Sequence, residues 1–181
     1  MTEYYFDIET YSPTPKPDLV NDKIITIQYQ PVRTETGEPI GNLEILTEWE
    51  CGSEKKLLGK FKDIFLTGND FDFIPIGVNL YGFDLISLAN RFNKYFDLGM
   101  DIQFFKNRPV IDIKPILIMM NKGMLKGYTN ILGKKQSGNV IKEFYEKNDR
   151  DSIIQYIKDE TENFLQKYQS LKKELPNIKL N

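Results

Sequence analysis

Two acids on one face of an otherwise apolar strand constrain this chain more than any other feature. The segment Glu3-Tyr4-Tyr5-Phe6-Asp7-Ile8-Glu9-Thr10 holds five strand-forming side chains, Tyr4, Tyr5, Phe6, Ile8 and Thr10, so it reads as a β-strand. Alternation sends Tyr5, Asp7 and Glu9 to one face and Tyr4, Phe6 and Ile8 to the other. Neighbouring carboxylates on such a strand repel each other and lose hydration as the chain folds. A divalent cation such as Mg²⁺, which prefers carboxylate oxygens, offsets both costs. The other reading is an edge strand with a wet polar face, and Asp-x-Glu alone is too short to choose between them.

A chain of 181 residues is long enough for one well-buried domain and short for two. Apolar residues at 40% and charged residues at 28% give an ordinary globular balance. No apolar run approaches the ~18–20 residues of a membrane span, and the N-terminus lacks a basic-then-apolar signal. A cytoplasmic protein with no membrane partner is expected. The single cysteine, Cys51, makes neither an internal disulfide nor a metal cluster. The absence of histidine excludes a histidine general base and argues against zinc. With a formal net charge of −2, any nucleic-acid contact must come from a local patch.

Tyr11 to Asp18 carries Pro13, Pro15 and Pro17 and reads as an extended surface loop. Lys23 to Gln30 and Leu43 to Trp49 read as second and third strands of an antiparallel meander, joined through the turn residues Thr36-Gly37-Glu38-Pro39. Leu57, Leu58, Phe61, Ile64 and Phe65 recur at helical spacing, in a helix ending near Gly68. Phe73 to Asn79 is short and nearly all apolar, as suits a strand covered on both faces and lying parallel to the first. Leu80-Tyr81-Gly82 turns the chain into a helix over Phe83 to Phe96. Val110 to Ile113 is a fifth short strand, broken by Pro115, and Ile116 to Met120 a short helix. Thr129 to Leu132 and Asn139 to Tyr145 follow as short helices, then a long one over Asp149 to Leu171, with Pro176 closing the ordered part. This is an α/β pattern: helices around one mixed sheet.

Two further acids draw attention. Asp84 opens a helix after Gly77-Val78-Asn79-Leu80-Tyr81-Gly82-Phe83. There it is either a cap residue favoured by the helix dipole or part of a site. Asn79 either satisfies backbone groups in the turn or contacts a ligand. On the last helix, Ile153, Ile157, Phe164, Tyr168 and Leu171 form an apolar stripe. At 100° per residue, Glu160 lies about 60° from the stripe's centre at Ile157, Tyr156 about 100° away on the same flank, and Asp159 about 160° away toward solvent. Glu160 is therefore better placed than Asp159 to look into the fold. Tyr156, four residues before it, is either its neighbour in a site or an amphipathic residue at the core edge.

The segments FDIET, GVNLYGFD and YIKDE resemble the three ordered motifs of the DnaQ-like (DEDD) 3′–5′ exonucleases, with the proofreading domains of family B DNA polymerases the nearest likeness. The stretch VIDIKPILIMMNKGMLKGYTNILGKK is similar to that family's segment between the second and third motifs. The likeness runs over about residues 3–168. It implies an RNase H-like mixed sheet, an antiparallel three-strand meander plus parallel strands, flanked by helices. One such domain is expected over residues 1–175, with a tail at 176–181. In the first motif the Asp-x-Glu pair is Asp7 and Glu9; in the second, Asn79, Phe83 and Asp84 match. The third motif departs: with Tyr156 in the tyrosine position, Glu160 replaces the family's aspartate. Placing Asp159 there instead puts Gln155 where the tyrosine belongs. Glu160 is the assignment, with Asp159 in reserve.

The resemblance implies two-metal hydrolysis of phosphodiester bonds at the 3′ end of single-stranded DNA or RNA. Asp7, Glu9, Asp84 and Glu160 would hold two Mg²⁺ or Mn²⁺ ions about 3.5–4 Å apart. Tyr156 would orient the attacking water. Metal-free, the four carboxylates would have raised pKa values. Thr10, Asn79 and Phe83 would contact substrate. Between Asn121 and Lys147 stand six lysines and two glutamates, interleaved with Tyr128, Phe144 and Tyr145. This stretch is either a solvated basic face or a strand-binding one, with Lys126, Tyr128, Lys134 and Lys135 as contacts to phosphates and bases. Asp112 reads as a structural strand-end acid. Any proofreading is expected in trans, with a polymerase or repair partner. A non-catalytic accessory subunit with a weakened metal site, or an RNase H-like endonuclease, are the competing readings.

Overall fold

The structure is a computed structural model that describes residues 2–14, 16–67, 70–71, 73–133 and 138–175. Strand β1, Thr2–Tyr11, is the centre of the sheet. Strand β2, Lys23–Val32, pairs antiparallel with it, setting Asp7 opposite Gln28 and Glu9 opposite Thr26, and the register slips between Glu9 and Thr10. Such a bulge re-aims the side chains beside it. Strand β3, Glu44–Thr47, pairs antiparallel with β2. It stops short of the expected Trp49 because Thr47 caps a single helical turn, Glu48–Cys51. Thr47 Oγ1 accepts from Glu50 N and donates to the Glu50 carboxylate, so this turn starts on a Thr-x-x-Glu signal akin to a capping box.

Helix α1, Glu54–Phe65, starts on Ser53, whose side chain accepts from Lys56 N. It buries Leu57, Leu58, Phe61 and Phe65 on one face. Leu66–Thr67 then pairs antiparallel with Asp70–Phe71; the expected stop at Gly68 lies outside the described residues. Strand β4, Phe73–Gly77, runs parallel to β1, with Tyr5 opposite Ile76. It ends two residues before Asn79, which takes a left-handed conformation at φ 65°. Helix α2 follows, Asp84–Phe96. Helix α3, Ile102–Lys106, was not expected; Asp101 caps it, and it buries Phe105.

Strand β5, Ile111–Asp112, pairs parallel with β4. Helix α4, Lys114–Met120, begins before Pro115 rather than after it. A proline in the first helical turn loses nothing, since the amide there has no partner within the helix. A 3₁₀ turn spans Tyr128–Leu132, followed by α5, Asn139–Glu146, and α6, Arg150–Glu174, which Asp149 caps through Ser152 N. The strand order β3-β2-β1-β4-β5 is the RNase H-like mixed sheet that the resemblance implies.

The faces of β1 divide the interior. Phe6 and Ile8 pack with α1 and α2, among Leu57, Phe61, Phe73, Leu85, Leu88 and Phe92. Tyr5 packs on the opposite face with Phe164, Leu165 and Tyr168 of α6. Burying each such side chain contributes about 1.5–3 kcal/mol, so α6 is held tightly across the acid-bearing face. Beside the sheet, the Glu54 carboxylate pairs with Arg91 and accepts from Ile24 N and Tyr95 Oη. Arg91 also donates to the carbonyl of Asn21, which ties down the loop before β2. No helix among the described residues is long and apolar enough to cross a membrane.

Candidate active site

A cleft of about 520 Å³ opens on the acid-bearing face of β1. Its floor is Asp7, Glu9 and Thr10. Asn79, Phe83 and Asp84 form one wall, Tyr156, Glu160 and Phe164 of α6 another, and Tyr128, Leu132, Asn139 and Lys142 a third. Asp7, Glu9 and Glu160 each offer one carboxylate oxygen, and these three atoms lie within 4.8 Å of one another. At an effective dielectric of about 20, each pair of full charges at that distance repels by on the order of 3 kcal/mol. A group of hard oxygen donors with no histidine or thiol suits Mg²⁺ or Mn²⁺ and not a soft or zinc-type ion.

Asp84 stands against Asp7 rather than within the trio. It is 2% exposed, and its Oδ1 accepts from Ile8 N at 3.2 Å. Its pKa is raised well above the usual carboxylate range, first by burial and then by the charge of Asp7 and a hydrogen bond between the two carboxyls. Tyr156 is 8% exposed, and its phenol is pushed upward by burial and by the charges of Glu9 and Asp7. It therefore stays protonated and can donate, but not act as a base.

The loop carrying Asn79 and Phe83 is held from below by Asp112. Its carboxylate accepts from Asn79 N at 2.8 Å, Tyr81 N at 3.3 Å and Lys114 N at 3.0 Å. Lys114 Nζ in turn donates to Asn79 Oδ1 at 2.6 Å and lies 5.9 Å from the centre of the Tyr128 ring. A Cβ on Gly82 would sit 2.3 Å from Asn79 Oδ1, so the glycine leaves room for the Asn79 amide in its present place. Gly82→Ala should push the Asn79 amide out of place and cost about 1–3 kcal/mol. A thermal melt of the variant checks this, and an unchanged melting temperature would show that the loop has another conformation open to it.

Of the residues singled out from sequence, Asp7, Glu9, Thr10, Asn79, Phe83, Asp84, Tyr128, Tyr156 and Glu160 all line this cleft. Lys126 does not: its side chain is exposed, and its carbonyl accepts from Asn121 Nδ2 to close a turn. Lys134 and Lys135 lie outside the described residues. Asp159 is exposed on the far side of α6 and accepts from Gln155 Nε2 at 2.7 Å. Lys142 was not singled out, yet it lines the cleft and donates to the carbonyls of Pro13 and Thr14. Nothing local in the sequence sets it apart from the other lysines of that stretch; the packing of α5 beside β1 brings it here.

No family model matches the sequence, and no curated protein matches it. Solved structures of exonuclease I are similar. An apo form is 13% identical with a TM-score of 0.48, covering 70% of this chain and 32% of that one. The Escherichia coli enzyme in complex with a dT13 oligonucleotide is 14% identical with a TM-score of 0.46, covering 67% and 29%. A complex with the inhibitor BCBP is 14% identical with a TM-score of 0.49, covering 66% and 30%. The match thus spans about a third of the length of the exonuclease I chains.

Proposed function

We propose that this chain is a DnaQ-like 3′–5′ exonuclease that hydrolyses phosphodiester bonds at the 3′ end of single-stranded nucleic acid, DNA in preference to RNA. The observation that carries the reading is the convergence of Asp7 and Glu9 from β1 with Glu160 from α6, beside Asp84 and Tyr156. The ordered motifs, closest in pattern to family B proofreading domains, support it. On this reading residues 1–175 act as one nuclease domain in the cytoplasm, working with a polymerase or repair partner.

Asp7, Glu9, Asp84 and Glu160 would hold two Mg²⁺ or Mn²⁺ ions. When bound, these supply a water of lowered pKa and charge stabilisation for the departing oxygen. Around them the chain's own groups position the strand. Tyr156, kept protonated, donates a hydrogen bond that orients the water. Lys142 brings a cation into an otherwise acidic cleft, where a phosphate oxygen can replace one of its backbone carbonyl partners. Phe83 and Tyr128 offer faces on which unpaired bases stack, and Asn79 and Thr10 offer hydrogen bonds to the terminal nucleotide.

The test uses single strands labelled at one end, with Mn²⁺ or with EDTA. A 5′-labelled strand should shorten into a ladder and a 3′-labelled one should release its terminal mononucleotide at once, both only with metal. Cutting of a closed circular single strand would overturn this reading in favour of an endonuclease. A second reading, a binding or accessory subunit, is favoured by Glu160 standing where the family carries aspartate. Strand binding without hydrolysis in any metal would establish it.

A further inference from the structure

Strand β2 carries polar side chains where the fold alone would take apolar ones. Thr26 and Gln28 are both 0% exposed, and each faces an acid of β1 across the sheet: Gln28 is opposite Asp7, and Thr26 opposite Glu9. Buried polar groups are retained where they have partners to satisfy. Gln28 Nε2 donates to Asp7 Oδ2 at 3.0 Å, and Thr26 Oγ1 donates to Gln28 Oε1 at 3.0 Å. The orientation of the amide follows from its neighbours. An ionised carboxylate only accepts, so the NH₂ group must face Asp7, and the Thr26 hydroxyl is left to serve the amide oxygen.

We propose that Gln28 is a positioning residue for Asp7, with Thr26 locking the Gln28 amide. The terminal torsion of an aspartate is broad and is not set by its own side chain. A donor fixed on the neighbouring strand sets it, and so holds the Asp7 carboxylate in the trio with Glu9 and Glu160. Gln28 reaches Asp7 from the β2 side, while Asp84 reaches it from α2. The carboxylate is thus gripped from two elements and kept turned toward the cleft. This inference rests on the reading of these acids as metal ligands.

The test measures Mn²⁺ binding by calorimetry, without substrate, on the wild-type chain and on Gln28→Met and Thr26→Val. Methionine keeps the length of the side chain and removes the donor; valine keeps the shape of threonine and leaves the amide free to turn. Partners behind a metal ligand typically contribute about 10–100-fold in affinity. Gln28→Met should therefore weaken Mn²⁺ binding by about tenfold or more, and Thr26→Val by a smaller factor. Saturating Mn²⁺ should restore most of the turnover of both variants, because neither residue touches the strand. A folded Gln28→Met with wild-type Mn²⁺ affinity overturns the proposal. Where Gln28→Met does not fold, Thr26→Val decides, and an unchanged affinity overturns the proposal equally. A wild-type chain that binds no Mn²⁺ overturns the metal-site reading itself, and the wild-type titration alone reveals that case.

Discussion

Asp7→Asn is expected to reduce 3′-end hydrolysis by at least about a thousandfold, about 4 kcal/mol of barrier, while the folded chain becomes slightly more stable without metal. The two effects have one cause. Asp7 has Glu9 and Glu160 within reach of a shared ion and Asp84 hydrogen-bonded behind it, so on the proposed reading the charge that would bind the metal is also the charge that strains the metal-free cluster. Asparagine preserves the local bonding, since its amide oxygen still accepts from Gln28 and its amide nitrogen can donate to Asp84. Alanine is the poorer probe, because it leaves the buried Gln28 amide without its acceptor, at about 1–3 kcal/mol. The melting temperature provides the control. In EDTA, Asp7→Asn should melt at or above the wild-type temperature. With Mn²⁺ at a hundred times its Kd, wild type gains about 2.7 kcal/mol, roughly 5–10 °C for a chain of this size, and the variant should gain little of this. An inactive variant that also melts well below wild type in EDTA would return Asp7 to a purely structural role.

What could be read from sequence depended on how local its determinants are. The face that Asp7 and Glu9 share follows from the two-residue period of one strand, and the inward aim of Glu160 from the pitch of a 25-residue helix. Neither needs knowledge of the rest of the chain. Trp49 was misread because the two-residue alternation of Leu43, Ile45 and Thr47 carries on to it, while the capping signal at Thr47 and Glu50 competes within the same few residues and wins. It stacks instead near Arg150, whose guanidinium lies 4.7 Å from the Trp49 ring centre and 4.4 Å from that of Tyr145. Helix α3 was missed because five residues carry too little periodicity to register, although the Asp101 cap was present. Lys126 and Lys142 show the limit most clearly. Both belong to one lysine-rich stretch, and only the packing of α5 beside β1 brings the second to the cleft and leaves the first in solvent. The place of Gln28 opposite Asp7 depends on cross-strand register, and no tight turn fixes it here, since a long loop joins Tyr11 to Lys23.

Glu160→Gln is expected to lower turnover by at least about tenfold, about 1.4 kcal/mol, and to weaken metal binding, while Asp159→Asn should leave both nearly unchanged. The adjacent acids are separated chiefly by where the helix points them. Glu160 brings a carboxylate oxygen within 4.8 Å of those of Asp7 and Glu9; Asp159 is exposed and bonds Gln155 one turn back on the same helix. Pairs of that kind on a helix surface contribute about 0.2–0.5 kcal/mol, so losing one barely moves stability. Glutamine is close to glutamate in shape, which confines the change at 160 to one charge and its ligand oxygen. The comparison also bears on Tyr156, because Tyr156 and Glu160 enter the cleft together from successive turns of α6. If Asp159→Asn abolishes activity and Glu160→Gln spares it, the third motif is shifted by one residue, and Tyr156 loses its place beside the water along with Glu160.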